Sequence, residues 1–353
     1  MQTKTLGEIC RPKQWKTVAT SQLSEEGYPV YGANGIIGKY KEYNHENETI
    51  LVTCRGATCG ALNICEPFSY VNGNAMALDN LDQSIDLKYL YYFLKGRGFH
   101  DVISGSAQPQ IIRSAIERIE VPICDIETQK EITKSFAKIE KLIESKKKIL
   151  ANLDNLVKAR FVEMFDGDYE EVELSELGKI STGSTPPMKN KDFYENADMP
   201  FFKPGDFIDG VSNIDCSESF VDARAESVSR IMDPGTVAVT CIGIIGKIGI
   251  IKRRGICNQQ INFIAPNDNV DSIYLAYAID TKKKFMQEKA NAPVVPILNK
   301  TNFSKVTIPF APVELQNQFA AFVAQVDKSK FAVQKSLEKT QQLFDSLMQE
   351  YFG

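Results

Sequence analysis

Two stretches of the chain carry the same long stripe of apolar side chains. The first runs from Glu127 to Phe165 and the second from Glu314 to Phe352, and neither contains proline or glycine. Apolar residues recur in steps of four and three, which is typical of a helix that buries one narrow face. The first stripe consists of Ile132, Phe136, Ile139, Ile143, Lys146, Leu150, Leu153, Val157, Arg160 and Met164. The second lies 187 positions further on, at Phe319, Val323, Val326, Lys330, Val333, Leu337, Thr340, Phe344, Leu347 and Tyr351.

A stripe kept over about five heptads predicts a coiled-coil seam, in which the few polar positions fix the register. Each helix would be about 58 Å long at 1.5 Å per residue, and neither could bury its stripe alone. We therefore expect the two helices to pack on each other. The short connection Asp166–Asp168 favours an antiparallel arrangement, because a second globular segment begins where the first helix ends. The alternative is that each helix packs on its own globular segment.

The globular segments that precede the helices also repeat. Ser106–Ile132 matches Ala292–Phe319 in order: a turn with proline, an amphipathic stretch, a strand ending in proline, and Glu-x-Gln opening the helix. Upstream, Thr49–Ile64 resembles Gly235–Ile250. Internal similarity of this kind indicates two copies of one structural unit.

Between the matching segments the copies diverge, most clearly at Tyr28–Tyr43 against Ser181–Ala225. The divergence fits either an old duplication that drifted or two copies of a reader that bind different targets. We predict an α+β protein with two globular domains, 1–124 and 167–311. They are joined by two long helices, 125–166 and 312–353, which form an antiparallel coiled coil.

Composition narrows the class of protein. The 353 residues are 43% hydrophobic and carry a formal net charge of −4, so the whole surface is not suited to binding nucleic acid. The start of the chain lacks an apolar signal core and no apolar run reaches membrane-spanning length, so we expect a cytoplasmic protein without membrane contact. Eight cysteines include no Cys-x-x-Cys pair. Cys54, Cys59 and Cys65 are interpreted as small buried hydrophobes rather than metal ligands.

These features together resemble the DNA-specificity (S) subunit of type I restriction–modification enzymes. The resemblance rests on the Gln108-Pro109-Gln110 turn, the strand ending at Pro122, and the Glu127-Thr128-Gln129 start of the helix. In the second copy, Gly183-Ser184-Thr185-Pro186 resembles the opening of a target-recognition domain. The second copy has no Gln-Pro-Gln turn, and the first lacks the Gly-x-Thr-Pro opening.

The resemblance implies two target-recognition domains, each reading half of an asymmetric, bipartite site on double-stranded DNA. It implies helices that set the spacer and dock two methyltransferase subunits, which bind S-adenosylmethionine. Restriction subunits that use ATP and Mg²⁺ would join them, and this chain would bind no cofactor or metal itself. The alternatives are a type IIB-like specificity subunit and a coiled-coil adapter for proteins. An adapter predicts apolar exposed loops, whereas the divergent loops are rich in Lys, Asn and Gln.

Base reading needs Arg or Lys for guanine and Asn or Gln for adenine. Candidate DNA-binding residues of these types are Lys39, Lys41, Arg55, Asn74, Gln108, Gln110, Lys203, Lys247, Lys252, Arg253, Arg254, Gln259, Gln260 and Asn262. Lys252–Arg254 is interpreted as a hairpin turn that faces either DNA or solvent. Asn258–Asn262 could instead be an ordinary strand face, and the glycine-rich Tyr31–Lys39 either a loop near the DNA backbone or a turn.

Catalytic signals are weak. His45 and His100 are the two histidines, and neither belongs to a convincing Ser–His–Asp set. Gly243–Lys247 lacks the spacing of a phosphate-binding loop and has Ile248 where a hydroxyl is needed. Thr185–Met188 lacks the acidic or amide residue and the aromatic of an adenine-methylation motif. We therefore expect a recognition subunit without catalytic residues.

Overall fold

The two long helices expected from the apolar stripes extend over Ile126–Phe165 and Val313–Phe352. The structure is a computed structural model that describes residues 2–105, 108–290 and 295–353. Ser106–Ala107 and Ala292–Val294, which belong to the predicted repeat, lie outside the described residues. The chain divides into unit 1, residues 1–147 with 334–353, and unit 2, residues 148–333. Each unit thus contains one globular segment together with part of each long helix.

Unit 1 is built from short strands and helices around the first half of the first long helix. The strands are β1 Gln2–Thr5, β2 Arg11–Gln14, β3 Tyr28–Gly32, β4 Gly35–Tyr40, β5 Thr49–Thr53, β6 Leu62–Cys65, β7 Tyr70–Val71, β8 Ala75–Asp79, β9 Ile103–Ser104, β10 Gln110–Ile111 and β11 Glu120–Ile123. The helices are α1 Leu6–Ile9, α2 Leu87–Arg97, α3 Arg113–Ile116 and α4 Ile126–Phe165, with a 3₁₀ turn at Thr20–Gln22.

Unit 2 follows a similar order of strands and helices. The strands are β12 Glu171–Glu173, β13 Gly178–Thr182, β14 Met199–Phe202, β15 Val211–Ile214, β16 Phe220–Val221, β17 Ile231–Met232, β18 Val237–Thr240, β19 Ile248–Ile251, β20 Gly255–Cys257, β21 Ile261–Pro266 and β22 Thr307–Pro309. The helices are α5 Leu174–Leu177, α6 Ser272–Thr281, α7 Lys283–Lys289, α8 Lys300–Ser304 and α9 Val313–Phe352. Three 3₁₀ turns lie at Lys191–Phe193, Pro204–Asp206 and Ala223–Ser227.

The sheets confirm the duplication and the α+β class. The order β2-β8-β5-β6 in unit 1 corresponds to β13-β21-β18-β19 in unit 2, where β15 adds a parallel fifth strand. The pair β1-β11 corresponds to β12-β22. A second sheet in each unit contains one parallel pair, β3 with β7 and β14 with β20. The repeat in the sequence is therefore a repeat of topology, and β15 accounts for part of the divergence.

A buried glutamine fixes the start of each long helix to its own unit. Gln129 is fully buried; its Oε1 accepts from the Asp86 N–H at 2.8 Å. Its Nε2 donates to the carbonyls of Ser84 (3.0 Å) and Cys124 (2.8 Å). The side chain thus satisfies backbone groups of the turn before α2 and of the turn before α4, and so connects the two turns.

The same arrangement recurs in unit 2. Gln316 is also fully buried, accepts from the Asp271 N–H at 2.8 Å and donates to the Ala311 carbonyl at 2.8 Å. The Glu-x-Gln match found in the sequence therefore marks a structural joint, repeated at an offset of 187 residues.

In unit 1 the beginning of α4 packs against the end of α9, so the two helices are antiparallel there. The Phe136 ring lies 5.3 Å from Phe344 and stacks at 4.9 Å on Tyr92 of α2. Lys146, a polar position of the stripe, donates through Nζ to the Ser336 carbonyl at 3.0 Å and to the Thr340 hydroxyl. The helices therefore contact both each other and the globular segment, which combines the two packing alternatives.

In unit 2 the end of α4 packs against the beginning of α9 in the same antiparallel sense. The Phe161 ring lies 5.2 Å from Phe319 and 5.9 Å from Tyr274 of α6. Lys330, again a polar stripe position, forms an ion pair with Asp154 at 2.5 Å. Of the predicted stripe positions, all except Tyr351 are buried or half-buried.

Candidate functional site

Two loop segments of unit 1 cross and bond to each other at one end of the main sheet. The Gly56 N–H donates to the Pro109 carbonyl at 3.1 Å, and the Ile111 N–H donates to the Cys54 carbonyl at 3.0 Å. We call the segments Cys54–Gly56 and Pro109–Ile111 together the unit 1 crossover. Because its bonds are between backbone atoms, side chains can vary there without loss of the framework.

Four of the predicted DNA-binding residues lie in or beside the unit 1 crossover. Arg55 and Gln110 are directly opposite each other as antiparallel partners. The Cys54 N–H donates to the Asn74 carbonyl at 3.2 Å, which places Asn74 next to them, and Gln108 precedes Gln110 by two residues. All four side chains are exposed. The structure thus gathers a guanidinium and three amide groups on one surface of unit 1.

Unit 2 has the same crossover with the same bonds. The Gly243 N–H donates to the Pro296 carbonyl at 3.1 Å, and the Leu298 N–H donates to the Cys241 carbonyl at 2.9 Å. We call Cys241–Gly243 and Pro296–Leu298 the unit 2 crossover. The Cys241 N–H donates to the Gln260 carbonyl at 2.8 Å, as Cys54 does to Asn74. The backbone of this site is therefore duplicated along with the fold.

The side chains at the unit 2 crossover differ in chemistry. Ile242 and Ile297 are the paired residues there. Ile244 is 66% exposed, and Val295 and Ile297 are each 42% exposed. This apolar surface differs from the expected loops, which are rich in Lys, Asn and Gln. Comparing residues 187 positions apart would have found it, since Ile242 aligns with Arg55 and Ile297 with Gln110.

Amides adjoin the unit 2 crossover as well. Gln259 is exposed and its Oε1 accepts from the Thr185 hydroxyl at 2.9 Å, which brings the Gly-x-Thr-Pro opening to this surface. Gln260 is half-buried and its Oε1 accepts from the Asn258 amide at 3.0 Å. These contacts hold Gln259 and Gln260 in place while leaving the Gln259 Nε2 donors free among the described residues.

One predicted contact residue of unit 2 is corrected to a structural residue. Asn262 is 1% exposed, accepts from the Thr182 hydroxyl at 2.6 Å and donates to the Leu298 carbonyl at 2.8 Å. A buried amide with both ends engaged cannot reach a base. Lys247 is half-buried, and its Nζ donates to the Phe207 carbonyl at 2.7 Å; it stays a prediction as a DNA contact.

The predicted hairpin at Lys252–Arg254 is also wrong. This segment connects β19 to β20, which belong to different sheets, so it is a link between sheets and not a hairpin turn. Lys252 is exposed. The Arg253 guanidinium donates to the Asp198 carbonyl at 2.8 Å.

Arg254 is engaged by two carboxylates. Its guanidinium binds Glu226 through two hydrogen bonds of 3.0 Å and forms a further ion pair with Asp233. These hydrogen bonds raise the pKa of Arg254 above its usual value, and Arg254 in turn lowers the pKa of Glu226. The two carboxylates balance its charge locally, and the half-exposed Arg254 stays a prediction as a DNA contact.

The remaining candidate lysines belong to other segments of the chain. The glycine-rich Tyr31–Lys39 forms the hairpin of β3 and β4 rather than an irregular loop. Lys39 is exposed on β4, and Lys41 follows it with a Glu42 carboxylate 3.6 Å away. Lys203 is exposed, and its Nζ donates to the Ser219 hydroxyl at 2.8 Å. These three stay predictions as DNA contacts.

His45 has a structural environment. It lies in the wall of a cavity of about 650 Å³ and is 8% exposed. Its Nδ1 is 2.6 Å from the Asn44 Oδ1, and its Nε2 is 2.9 Å from the Asp79 carboxylate. Asp79 also accepts from the Trp15 indole at 3.0 Å. Both ring nitrogens are therefore engaged within the protein.

Of the three cysteines interpreted as small buried hydrophobes, Cys54 and Cys65 are fully buried, whereas Cys59 is half-buried. Burial raises the pKa of Cys54 to about 11. In the described part of the chain, no group of three or more His, Cys, Asp or Glu residues is arranged to hold a metal ion. No helix of residues 2–105, 108–290 and 295–353 has the length and apolar character needed to span a bilayer.

The fold and the crossovers together define a protein built from a duplicated α+β unit, with a variable loop site in each copy. The family model described as "Type I restriction modification DNA specificity domain" matches residues 1–155 and 166–343. The chain therefore belongs to the type I restriction–modification DNA specificity family, as the resemblance of its motifs indicated.

Curated relatives carry the same description. The type I restriction enzyme HindI specificity subunit of Haemophilus influenzae is 31% identical over 144 residues, covering 40% of this chain and 31% of the relative. The EcoR124I/EcoR124II specificity subunit of Escherichia coli is 24% identical over 249 residues, covering 65% of this chain and 60% of the relative. The chain spans about a third of the length of the first curated relatives it matches.

Solved structures share the fold. The type I restriction–modification S subunit of M. genitalium is similar with a TM-score of 0.64 at 17% identity, and the match covers 100% of this chain and 96% of that one. A chain of another solved type I restriction–modification system has a TM-score of 0.59 at 16% identity, covering 99% and 97%. At 17% and 16% sequence identity, the similarity shows only that these proteins share a fold.

Proposed function

We propose that the chain is the DNA-sequence-reading subunit of a type I restriction–modification complex, and that each unit reads one half of a bipartite, asymmetric site on double-stranded DNA. The observation that supports this most directly is the duplicated crossover. Its backbone bonds are the same in both units, whereas the side chains that it exposes differ. A constant framework with exchangeable side chains is what two different sequence readers require.

The charges also fit a reading subunit that works inside a larger complex. Sequence is read at base edges, whereas affinity comes mainly from phosphate contacts. A net charge of −4 provides little attraction for DNA overall. Partner subunits would supply much of the phosphate contact, and the exposed Arg55, Gln110 and Gln259 would supply discrimination.

The long helices are proposed to set the spacer and to dock two methyltransferase subunits, with restriction subunits joining them. Support comes from large apolar side chains that the helices expose although they belong to no seam. They are Leu142, Ile149, Leu156, Val162, Phe331 and Leu343. S-adenosylmethionine, and ATP with Mg²⁺, would bind those partners. A type IIB-like complex differs in its partner, which would combine methylation and cleavage.

A protein-binding adapter is the second candidate, and the unit 2 crossover is the observation that favours it. Exposed Ile244, Val295 and Ile297 form the kind of apolar surface that often marks a protein interface. The adapter predicts that this surface affects assembly and leaves the DNA sequence unchanged.

Exchange of one reading segment tests the proposal. We expect that replacing Ser181–Ile264 by the equivalent segment of a relative changes one half of the methylated site and keeps the other. The measurement is mapping of methylated positions across the genome of a host that expresses the complex. If both halves changed, or neither did, the two-reader proposal would be wrong.

An insertion tests the role of the helices as a spacer. Four extra residues in α4 turn the stripe by only about 40°, so the seam stays nearly aligned while the helix gains about 6 Å. We expect a longer spacer between the two methylated half-sites, or loss of methylation where pairing of the helices breaks. The control places the same insert after Glu25, in an exposed loop of unit 1. An unchanged spacer with full methylation from the α4 insertion would contradict this role.

A further inference from the structure

The two crossovers place different side chains at equivalent points of one framework. Arg55, Gln108 and Gln110 in unit 1 are matched in unit 2 by branched apolar residues 187 positions on: Ile242, Val295 and Ile297. The backbone hydrogen bonds are the same in both crossovers. The two crossovers therefore differ in the side chains that they expose. The difference is therefore one of recognition chemistry.

Arg55 presents an unengaged guanidinium. Within residues 2–105, 108–290 and 295–353 its side chain forms no hydrogen bond or ion pair, whereas Arg97 is bound to Asp101 and Arg254 to Glu226. Its five N–H donors therefore have no acceptor among the described residues and can bind an external one. Two parallel N–H groups match the O6 and N7 acceptors of guanine in the major groove.

Gln110 lies beside Arg55 on the same surface of unit 1. Directly opposite residues of an antiparallel pair have Cβ atoms about 5 Å apart and side chains on one face. Neighbouring base pairs are stacked about 3.4 Å apart, so Arg55 and Gln110 are spaced to reach adjacent bases. The amide of a glutamine matches N6 and N7 of adenine.

Ile297, at the position of Gln110, has no hydrogen-bonding group. A polar base edge placed against it would lose its partners in water, which costs free energy. The C5-methyl group of thymine is the feature of the major groove that an aliphatic side chain matches. The exposure of Ile244 and Ile297 gives that contact an accessible surface.

We propose that the crossover residues determine base choice in both half-sites. Arg55 selects a guanine and Gln110 an adjacent adenine in the half-site read by unit 1, and Ile297 selects a thymine in the half-site read by unit 2. This inference rests on the proposed function, because it requires that the units read DNA.

Exchange between matched positions tests the inference in the complex with its native partner subunits. Arg55→Ile should remove one guanine requirement, so that methylation of sites with another base there rises roughly tenfold to a hundredfold relative to the guanine site. Gln110→Ile should relax the adjacent position, and Ile297→Gln should shift the thymine of the second half-site toward adenine. Each variant should leave the other half-site unchanged. Genome-wide methylation mapping measures all three.

Arg55→Lys separates base reading from simple charge. A lysine keeps the charge but loses the paired donors, so the guanine preference should weaken and not return to that of the unchanged protein. If Arg55→Ile lowers methylation equally at all sites and Arg55→Lys restores it, Arg55 contacts phosphate and the inference is wrong. It is equally wrong if Arg55→Ile and Gln110→Ile both leave the site unchanged. Because these side chains are exposed, loss of folding is not expected, and Trp15 fluorescence checks it.

The outcome also distinguishes this inference from the proposed function. A complex with the unchanged chain that methylates no bipartite site would overturn the proposed function itself. A bipartite site that the crossover variants do not alter would overturn only the assignment of these residues. If Ile297→Gln prevents co-purification with the methyltransferase subunit and keeps the sequence preference, the unit 2 crossover binds protein, and its assignment to thymine fails.

Discussion

Replacing Gln129 by leucine should destabilise unit 1 by roughly 3 kcal/mol or more. Leucine fills the site but leaves the Asp86 N–H and the carbonyls of Ser84 and Cys124 without the partner they have now. Each buried backbone group that loses its partner costs about 1–3 kcal/mol. The expected effect is large because one side chain serves three backbone groups, in two different turns.

Urea denaturation followed by fluorescence measures this effect in unit 1 specifically. The chain has a single tryptophan, Trp15, which lies in unit 1 and donates to Asp79. The control is Glu131→Leu, which adds the same side chain at an exposed position one half-turn later on α4 and should change stability by less than about 0.5 kcal/mol. A loss below about 1 kcal/mol for Gln129→Leu would contradict the proposed role of the joint.

The buried glutamines Gln129 and Gln316 show which features of the fold can be predicted from the sequence and which cannot. The offset of 187 residues paired Gln129 with Gln316, and the strict spacing of the stripes predicted both long helices, because helical periodicity is a local property of the chain. The burial of these glutamines was not predicted. Their partners, such as Asp86 and Asp271, lie more than 40 residues earlier, and a single sequence does not show which distant turns a polar side chain will satisfy.

The errors among the candidate contacts have the same physical origin. Asn262 and Gln110 both carry amide side chains. Asn262 is buried in the core, whereas Gln110 is exposed. Lys252–Arg254 follows one strand and precedes another, which suggested a hairpin, but those strands belong to different sheets. Sheet membership and side-chain burial depend on long-range pairing, whereas residue type and spacing do not.

The residues of the crossover already match in the sequence, although their meeting is a property of the fold. Cys54 and Cys241 lie 187 positions apart, as do Pro109 and Pro296, so the framework was visible as a repeat. Its importance lies in the residues that fail to match, such as Arg55 against Ile242. In a duplicated binding unit, substitutions within an otherwise retained loop are the signal to look for.

The contact between the long helices in unit 1 depends on one aromatic residue that unit 2 does not share. Phe136 is fully buried and lies between Tyr92 at 4.9 Å, Phe344 at 5.3 Å and Phe352 at 5.8 Å. The residue 187 positions later is Val323, and unit 2 fills its contact with other aromatic residues, including the pair Phe161 and Phe319. The duplicated backbone therefore tolerates different core packing, but each packing is specific to its unit.

Phe136→Ala should consequently destabilise unit 1 by about 3–5 kcal/mol, because it removes a buried ring and leaves a cavity among three others. The matched control is Leu142→Ala on the same helix, where the side chain is 53% exposed and little buried area is lost. Urea denaturation monitored by Trp15 fluorescence should show a lower midpoint for Phe136→Ala with an unchanged slope, while Leu142→Ala stays close to the unmodified chain. If the two substitutions lowered stability equally, apolar contacts all along α4, and not the aromatic cluster, would stabilise the helix pair. A much larger effect at Phe136 would show that the aromatic cluster joins α2, α4 and α9 into one cooperative unit.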